Sequence, residues 1–87
     1  MAASYKADGP VTLSEEQILI LHQKLRDLRH EVNGKLGIMV LAAELMRMRP
    51  EAAAERLKLL MDQPVAVKKI FWDYSQEFEK ALGIVKD

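Results

Sequence analysis

The sequence predicts an all-α fold over residues 12–87: a long antiparallel helical hairpin that dimerises into a four-helix bundle. Three observations predict it. Apolar residues recur at alternating spacings of three and four in both halves of the chain, which is the pattern of one buried helix face. A proline at position 50 separates the two halves. No segment has the two-residue alternation of apolar and polar residues that is typical of a strand.

Helix one is predicted over about residues 14–48, after a mobile tail at residues 1–11. The tail is polar, contains Gly9 and Pro10, and has no apolar period. Ser14 is suited to cap the helix, because Gln17 occupies the position three residues later that completes a capping box. The apolar stripe of this helix consists of Ile18, Leu21, Leu25, Leu28, Val32, Leu36, Met39, Ala43 and Met46.

Helix two is predicted over about residues 50–84. Pro50 suits the first helical position, where no N–H is needed, and it disfavours helical angles in the residue before it. Pro64 removes one hydrogen bond and is expected to kink the helix without ending it, because the apolar repeat continues in phase. Gly83 marks the predicted end. The apolar stripe consists of Leu57, Leu60, Pro64, Val67, Phe71, Tyr74, Phe78, Ala81 and Val85.

Both helices carry more apolar surface than one hairpin covers. Two helices bury one stripe each, and a monomer would leave the apolar residues outside the stripes in water. These residues are Ile38, Val40, Leu41 and Leu45 in helix one and Met61, Val65, Ile70 and Trp72 in helix two. Two hairpins that close into a four-helix bundle bury them. We therefore expect a homodimer.

The composition argues against several classes of function. Thirteen basic and thirteen acidic residues cancel, whereas a general nucleic-acid binder has a basic excess. The chain has no cysteine and hence no disulfide or thiolate. Its first ten residues lack the apolar core of a signal peptide, and the longest apolar run, residues 37–43, is too short to span a bilayer. These features predict a cytoplasmic protein that binds neither nucleic acid nor membrane.

A histidine and an acid, His30 and Glu31, stand side by side in helix one. With Leu28 and Val32 on the buried stripe, His30 is turned about 200° from each and is predicted to face outward. Gly34 follows one turn later and leaves the surface beside the imidazole bare, at roughly 1 kcal/mol of helix propensity relative to alanine. An exposed neutral imidazole nitrogen is available as a nucleophile or base, and an adjacent carboxylate can orient the ring or act as a general base.

The simplest interpretation of this pair is that it has no special role, as is true of most exposed histidines on helices. His22 has no distinctive neighbours, and we assign it no function. No metal site is predicted, because the H-E-x-x-H pattern needs a histidine where Gly34 stands and no cysteine completes a site with the two histidines. No cofactor is predicted either.

Residues 30–36, with the sequence HEVNGKL, resemble the phosphoacceptor motif of two-component histidine kinases. That motif, in the dimerisation and histidine-phosphotransfer domain, has a histidine, an acid, an apolar residue, two small or polar residues, often a proline, and then a leucine. The small and apolar residues 37–46 continue as that family does toward its hairpin turn. The resemblance implies that His30 accepts a phosphoryl group, that Glu31 orients the ring or acts as a base, and that the partner is a response-regulator receiver domain or a histidine kinase. The residues expected to contact the phosphoryl group or the partner are Arg26, Arg29, Asn33, Gly34 and Lys35.

Two departures from the motif limit what it implies. Lys35 stands at the proline position, and Gly34 stands where kinases that also dephosphorylate their partner have threonine or asparagine. Glycine has no side chain to position a water molecule, so phosphatase activity is not expected. The 87 residues also contain no glycine-rich nucleotide loop or magnesium-binding acid cluster, so a self-sufficient kinase is not expected. The spacing of His30 and Gly34 is similar to that of monomeric histidine phosphotransfer bundles as well.

The leading hypothesis is therefore a stand-alone phosphotransfer module in which a phosphoryl group passes between His30 and a receiver-domain aspartate. The first alternative is a non-catalytic dimeric helical adaptor or regulator that binds a kinase or response regulator. The second is a structural helical adaptor in which the adjacent histidine and acid are a coincidence. The chain is a possible phosphotransferase only in the leading hypothesis; in the first alternative His30 is replaceable, and in the second it has no role.

Overall fold

The computed structural model describes residues 4–86, and it consists of two long antiparallel helices with a small ribbon at their open end. In chain order the elements are β1 (Tyr5–Ala7), α1 (Glu15–Met48), a 3-10 turn (Pro50–Ala52), α2 (Ala53–Ala81) and β2 (Ile84–Lys86). The helical hairpin predicted from the sequence is confirmed. Residues 1–3 of the predicted tail, and residue 87, lie outside the described residues.

Helix α1 begins with the predicted capping box. The Ser14 hydroxyl accepts a hydrogen bond from the backbone N–H of Gln17 at 3.1 Å, and the Gln17 side-chain carbonyl accepts one from the backbone N–H of Ser14 at 2.8 Å. Two otherwise unpaired donors at the helix start are thereby satisfied. Glu15 and Glu16 add negative charge at the positive end of the helix dipole. These interactions fix the start of the helix that carries His30.

The two prolines of the helical region have different effects. Pro50 begins the single 3-10 turn, so α2 starts at Ala53 rather than at residue 50. Pro64 lies inside α2, which continues past it to Ala81, as predicted. Gly83 then adopts a φ of +63°, a left-handed conformation that favours glycine and ends helices. Helix α2 therefore stops before residue 84, where the sequence predicted its end.

The prediction that the chain has no strand is wrong. Strands β1 and β2 pair antiparallel, with Tyr5 opposite Lys86 and Ala7 opposite Ile84. The backbone N–H of Asp8 extends the contact by donating to the Gly83 carbonyl at 2.8 Å. Each strand has only three residues, too few for alternation to be recognised, and the partners lie at opposite ends of the chain. Part of the predicted mobile tail is thus paired in a ribbon.

The contact between the helices is a single narrow seam. The molecule measures 58 × 34 × 12 Å, and its smallest extent is about the diameter of one helix with side chains. Within residues 4–86, the apolar residues that are buried are Leu28 and Ala42, and the buried polar residue is Gln63. Lys24 and Glu77 join the two helices by an ion pair of 2.8 Å. Most apolar side chains therefore keep a large exposed fraction.

Part of the predicted buried stripe lies outside this seam. Leu25, Leu36 and Phe71 are 37%, 47% and 48% exposed, whereas Lys24 and Lys35 are half-buried. The stripe is wider than one helix–helix contact, and the seam centres on the line of Leu28, about 60–80° from Leu25 and Leu36 in helical phase. The large exposed residues of the stripe within α1 and α2, called the apolar flank below, are Ile18, Leu25, Leu36, Leu57, Phe71 and Phe78.

The residues of the apolar flank lie on one side of the hairpin. On α1 the members of the flank are rotated about the helix axis by about 60–80° from Leu28, and on α2 by about 60–120° from Gln63. When each helix is viewed along its own chain direction, both rotations have the same sense. Because the two right-handed helices run in opposite directions, this rotation takes both helices to the same side of their common plane. The hairpin thus has one apolar side and one more polar side.

Candidate functional site

His30 lies near the middle of α1 and is exposed, as its helical phase predicts. Leu28, two residues earlier, is 8% exposed and fixes the direction of the seam. At 100° per residue, His30 is about 160° from that direction by the shorter way round, so the imidazole projects away from α2. The ring is presented by a long helix rather than by a loop.

A shallow surface depression of about 260 Å³ adjoins His30. Its other lining residues are Glu31, Gly34, Lys35 and Ile38. A Cβ atom added to Gly34 would meet no atom within 4 Å, so the surface beside the ring is open, as predicted. The depression and the apolar flank lie on opposite sides of α1, since Gly34 and Ile38 are rotated from Leu28 in the sense opposite to Leu25 and Leu36.

The structure brings together some of the predicted binding residues and separates others. Lys35 lines the depression, although its Cα lies close to the seam and the residue is half-buried. Arg26 stands one turn before His30 on the same outward face. Arg29 is turned toward the apolar flank, about 100° from Leu28, and Asn33 lies on the outer face beyond the depression. The positive charge near the imidazole therefore comes from Arg26 and Lys35.

The side chains of His30 and Glu31 make no hydrogen bond or ion pair with any other residue of the described range 4–86. Neighbouring residues of a helix point about 100° apart, and do not face each other. The carboxylate of Glu31 lies at the edge of the same depression but does not hold the ring in the structure. Both imidazole nitrogens are therefore free to meet an incoming group, and Glu31 has to change rotamer to assist.

A second groove, which the sequence did not indicate, lies between the helices on the polar side. It holds about 250 Å³, and its lining residues are Lys24, Asp27, Leu28, Glu31, Ile70, Asp73, Tyr74 and Glu77. The hydrogen bond that Lys24 donates to Glu77, together with the charge of its ammonium group, lowers the pKa of Glu77 from its ordinary value of 4.5. Glu31 lines both this groove and the depression beside His30, so the two adjoin at this residue.

The described residues form neither a metal site nor a membrane-spanning helix. Within residues 4–86, no group of three or more histidine, cysteine or acidic residues is arranged to hold a metal ion. Neither α1 nor α2 has a stretch apolar enough over a sufficient length to cross a bilayer.

Comparison of the chain with protein-family models, with curated proteins and with solved structures found no match in any of the three. Function is therefore inferred from the residues of this chain and their arrangement.

Proposed function

We propose that this chain is a histidine-containing phosphotransfer module of a two-component phosphorelay. His30 accepts a phosphoryl group from a receiver-domain aspartate or from a histidine kinase and passes it on. The observation that carries the proposal is the setting of His30, which projects outward from a long helix beside a surface that Gly34 leaves open. Transfer between two proteins requires that their reacting atoms come within about 3–3.5 Å, and an unobstructed imidazole permits this approach.

The proposed step uses only groups that the two proteins provide. A lone pair of one imidazole nitrogen attacks the phosphorus, the P–O bond to the aspartate breaks, and the carboxylate leaves with the bonding electrons. Arg26 and Lys35 place positive charge around the transferred group. Glu31, after a rotamer change, hydrogen-bonds the other ring nitrogen or accepts its proton. The 87 residues hold no phosphate loop, so the proposal places the phosphoryl donor outside them.

The proposed functional unit is a cytoplasmic homodimer that pairs through the apolar flank. This interface differs from the one expected from the sequence, because Trp72 and other residues outside the stripes project away from the flank. Exposed contiguous apolar faces of this kind mark association surfaces, and two such hairpins complete a four-helix bundle. The flank and the depression beside His30 lie on opposite sides of α1, so this pairing leaves both His30 residues of the dimer accessible.

One observation favours a second candidate, a non-catalytic helical adaptor that binds a kinase or response regulator. No residue in the described range orients the His30 ring, whereas catalytic imidazoles are usually held by a second group. In this candidate the open surface and the basic residues serve docking alone.

Replacement of His30 by alanine tests the proposal. The protein is incubated with labelled phospho-receiver proteins and with phosphorylated histidine kinases, and the label on the chain is measured. We expect the parent to acquire an acid-labile, base-stable label and the H30A variant to acquire none. The matched control is His22→Ala, which removes an exposed histidine two turns earlier on the same helix and should leave labelling unchanged.

Two results would contradict phosphotransfer. Equal labelling of H30A and the parent would place the phosphoryl group elsewhere. Absence of label from every donor, combined with stable binding of H30A and parent alike to a kinase or receiver, would favour the non-catalytic adaptor.

A further inference from the structure

A pocket separate from His30 lies at the open end of the hairpin, between α2 and the ribbon. It holds about 300 Å³, which is at the lower end of the range for small-molecule sites. Its lining residues are Tyr5, Tyr74, Ser75, Phe78, Glu79 and Ile84. Three aromatic rings and an aliphatic side chain thus line the same pocket as a single carboxylate.

The ribbon builds one wall of this pocket. Tyr5 pairs with Lys86 and Ala7 pairs with Ile84 in the antiparallel register. Because side chains alternate along a strand and paired residues share a face, Tyr5, Ala7, Ile84 and Lys86 project from the same face of the ribbon. Of these, Tyr5 and Ile84 line the pocket and Lys86 does not. The second wall is α2, where Tyr74 and Phe78 stand one turn apart with ring centroids 6.0 Å apart and planes inclined by 31°.

Glu79 is the charged group of this pocket and has no counter-ion within the described residues. It is half-buried, and neither Lys80 next to it nor Lys86 of β2 forms an ion pair with it. The ion pairs of α2 use other acids, Asp62, Asp73 and Glu77. A carboxylate placed among aromatic rings without a partner favours a cation that brings its own apolar surface.

We propose that this pocket binds an organic ammonium group, through the faces of Tyr5 and Tyr74 and the charge of Glu79. Phe78, a member of the apolar flank, packs against the Tyr74 ring. Aromatic faces attract cations within about 6 Å of the ring centroid, and they do so best when the cation is weakly hydrated, as methylated ammonium groups are. The ammonium group belongs either to a free amine or to a lysine side chain of another protein. Recognition at this site does not depend on phosphotransfer at His30.

The experiment titrates the isotope-labelled full chain by NMR with choline, with its neutral carbon isostere dimethylbutanol, and with N-acetyl-lysine amide. We expect saturable shifts at Tyr5, Tyr74, Phe78 and Ile84 with the cationic probes and at least about tenfold weaker binding of dimethylbutanol. Tighter binding of choline assigns the site to free methylated amines, and tighter binding of the lysine derivative assigns it to a protein side chain. Equal shifts with choline and dimethylbutanol, or no saturable shifts, would overturn the proposal.

Two variants and a control separate the carboxylate from the rings. Glu79→Gln removes the charge and Tyr5→Leu removes one aromatic face, and each should weaken choline binding about tenfold. Glu55→Gln removes an exposed acid near the other end of α2 and should change nothing. If one of the two pocket variants fails to fold, the other is enough to test the proposal. Unchanged choline binding in a folded pocket variant would overturn the proposal. Loss of the parent's choline-induced shifts as protein concentration rises would also overturn it, and would assign the pocket to contact with a second copy of the chain.

Discussion

At the scale of single residues, two glycines of the same chain have opposite effects on stability. Gly83 has a φ of +63°, and a Cβ atom there would lie 3.4 Å from Cγ2 of Val11. Gly37 is in the interior of α1, and a Cβ atom there would meet nothing within 4 Å. We expect Gly83→Ala to lower the free energy of unfolding by about 1–2 kcal/mol, and Gly37→Ala to raise it by up to about 1 kcal/mol. Urea denaturation followed by circular dichroism measures both, and a neutral Gly83→Ala would contradict the left-handed helix end.

The ion pair between Lys24 and Glu77 predicts a dependence of stability on pH. The hydrogen bond from Lys24, and then its charge, lower the pKa of Glu77 in the folded protein below 4.5. The contribution of this carboxylate to stability is therefore complete above that ordinary pKa and is lost as pH falls through the lower folded value. Denaturation curves from about pH 7 to about pH 3 should show a smaller acid loss in Glu77→Gln than in the parent. Glu55→Gln, which removes an exposed acid that forms no ion pair within residues 4–86, is the matched control. An equal effect of both variants would exclude the pair as the cause.

The site residues differ in how far the sequence could place them. The outward direction of His30 follows from its phase relative to Leu28, and the open surface follows from Gly34. Arg29 faces the flank and Lys35 lies beside the seam because the seam runs along the line of Leu28. The spacing of apolar residues in the sequence defines the direction of that line only to within about one helical position. The roles of these residues stay predictions until His30 is tested.

At the scale of elements, local sequence rules account for the helix starts and stops. The capping box at Ser14, the turn before Pro50 and the helix end near Gly83 each depend on residues within a few positions of one another. The ribbon depends instead on pairing between the two ends of the chain, with only three residues in each strand. No local pattern encodes that pairing, which is why the strands were missed.

Pro64 removes one backbone hydrogen bond from α2 and thereby lowers the stability of the helix. It cannot donate to the Leu60 carbonyl, and the neighbouring Gln63, which is 7% exposed, directs its side-chain amide to the Leu59 carbonyl at 2.9 Å. We expect Pro64→Ala to restore the missing hydrogen bond and to raise the free energy of unfolding, by up to about 3 kcal/mol. Urea denaturation measures the change. A loss of stability would indicate that the proline sets a helix direction that the packing of Gln63 requires.

At the scale of the whole molecule, a hairpin that is one helix thick buries very little. Its smallest extent is 12 Å, and the fully buried apolar residue in the described range is Ala42, at 0% exposure. The heptad pattern predicts which residues of a helix form its apolar surface. It does not predict which of them contact the other helix of the hairpin and which contact another chain. The sequence therefore predicted the hairpin correctly, whereas the division of its stripe into seam and flank required the structure.

Two adjacent aromatic residues of α2 point in different directions, and they provide a direct test of whether the hairpin dimerises through the apolar flank. Phe71 is 48% exposed on the apolar flank, and Trp72 is 64% exposed on the outward face, opposite the seam. If two hairpins pair through the flank, Phe71→Glu places a charge in the interface and should weaken the dimer more than about tenfold, whereas Trp72→Glu should leave it intact. Sedimentation equilibrium at micromolar concentration measures both variants beside the parent. A monomeric parent would refute the bundle, and greater weakening by Trp72→Glu would move the interface to the outer face of α2, on the side of the hairpin farthest from His30.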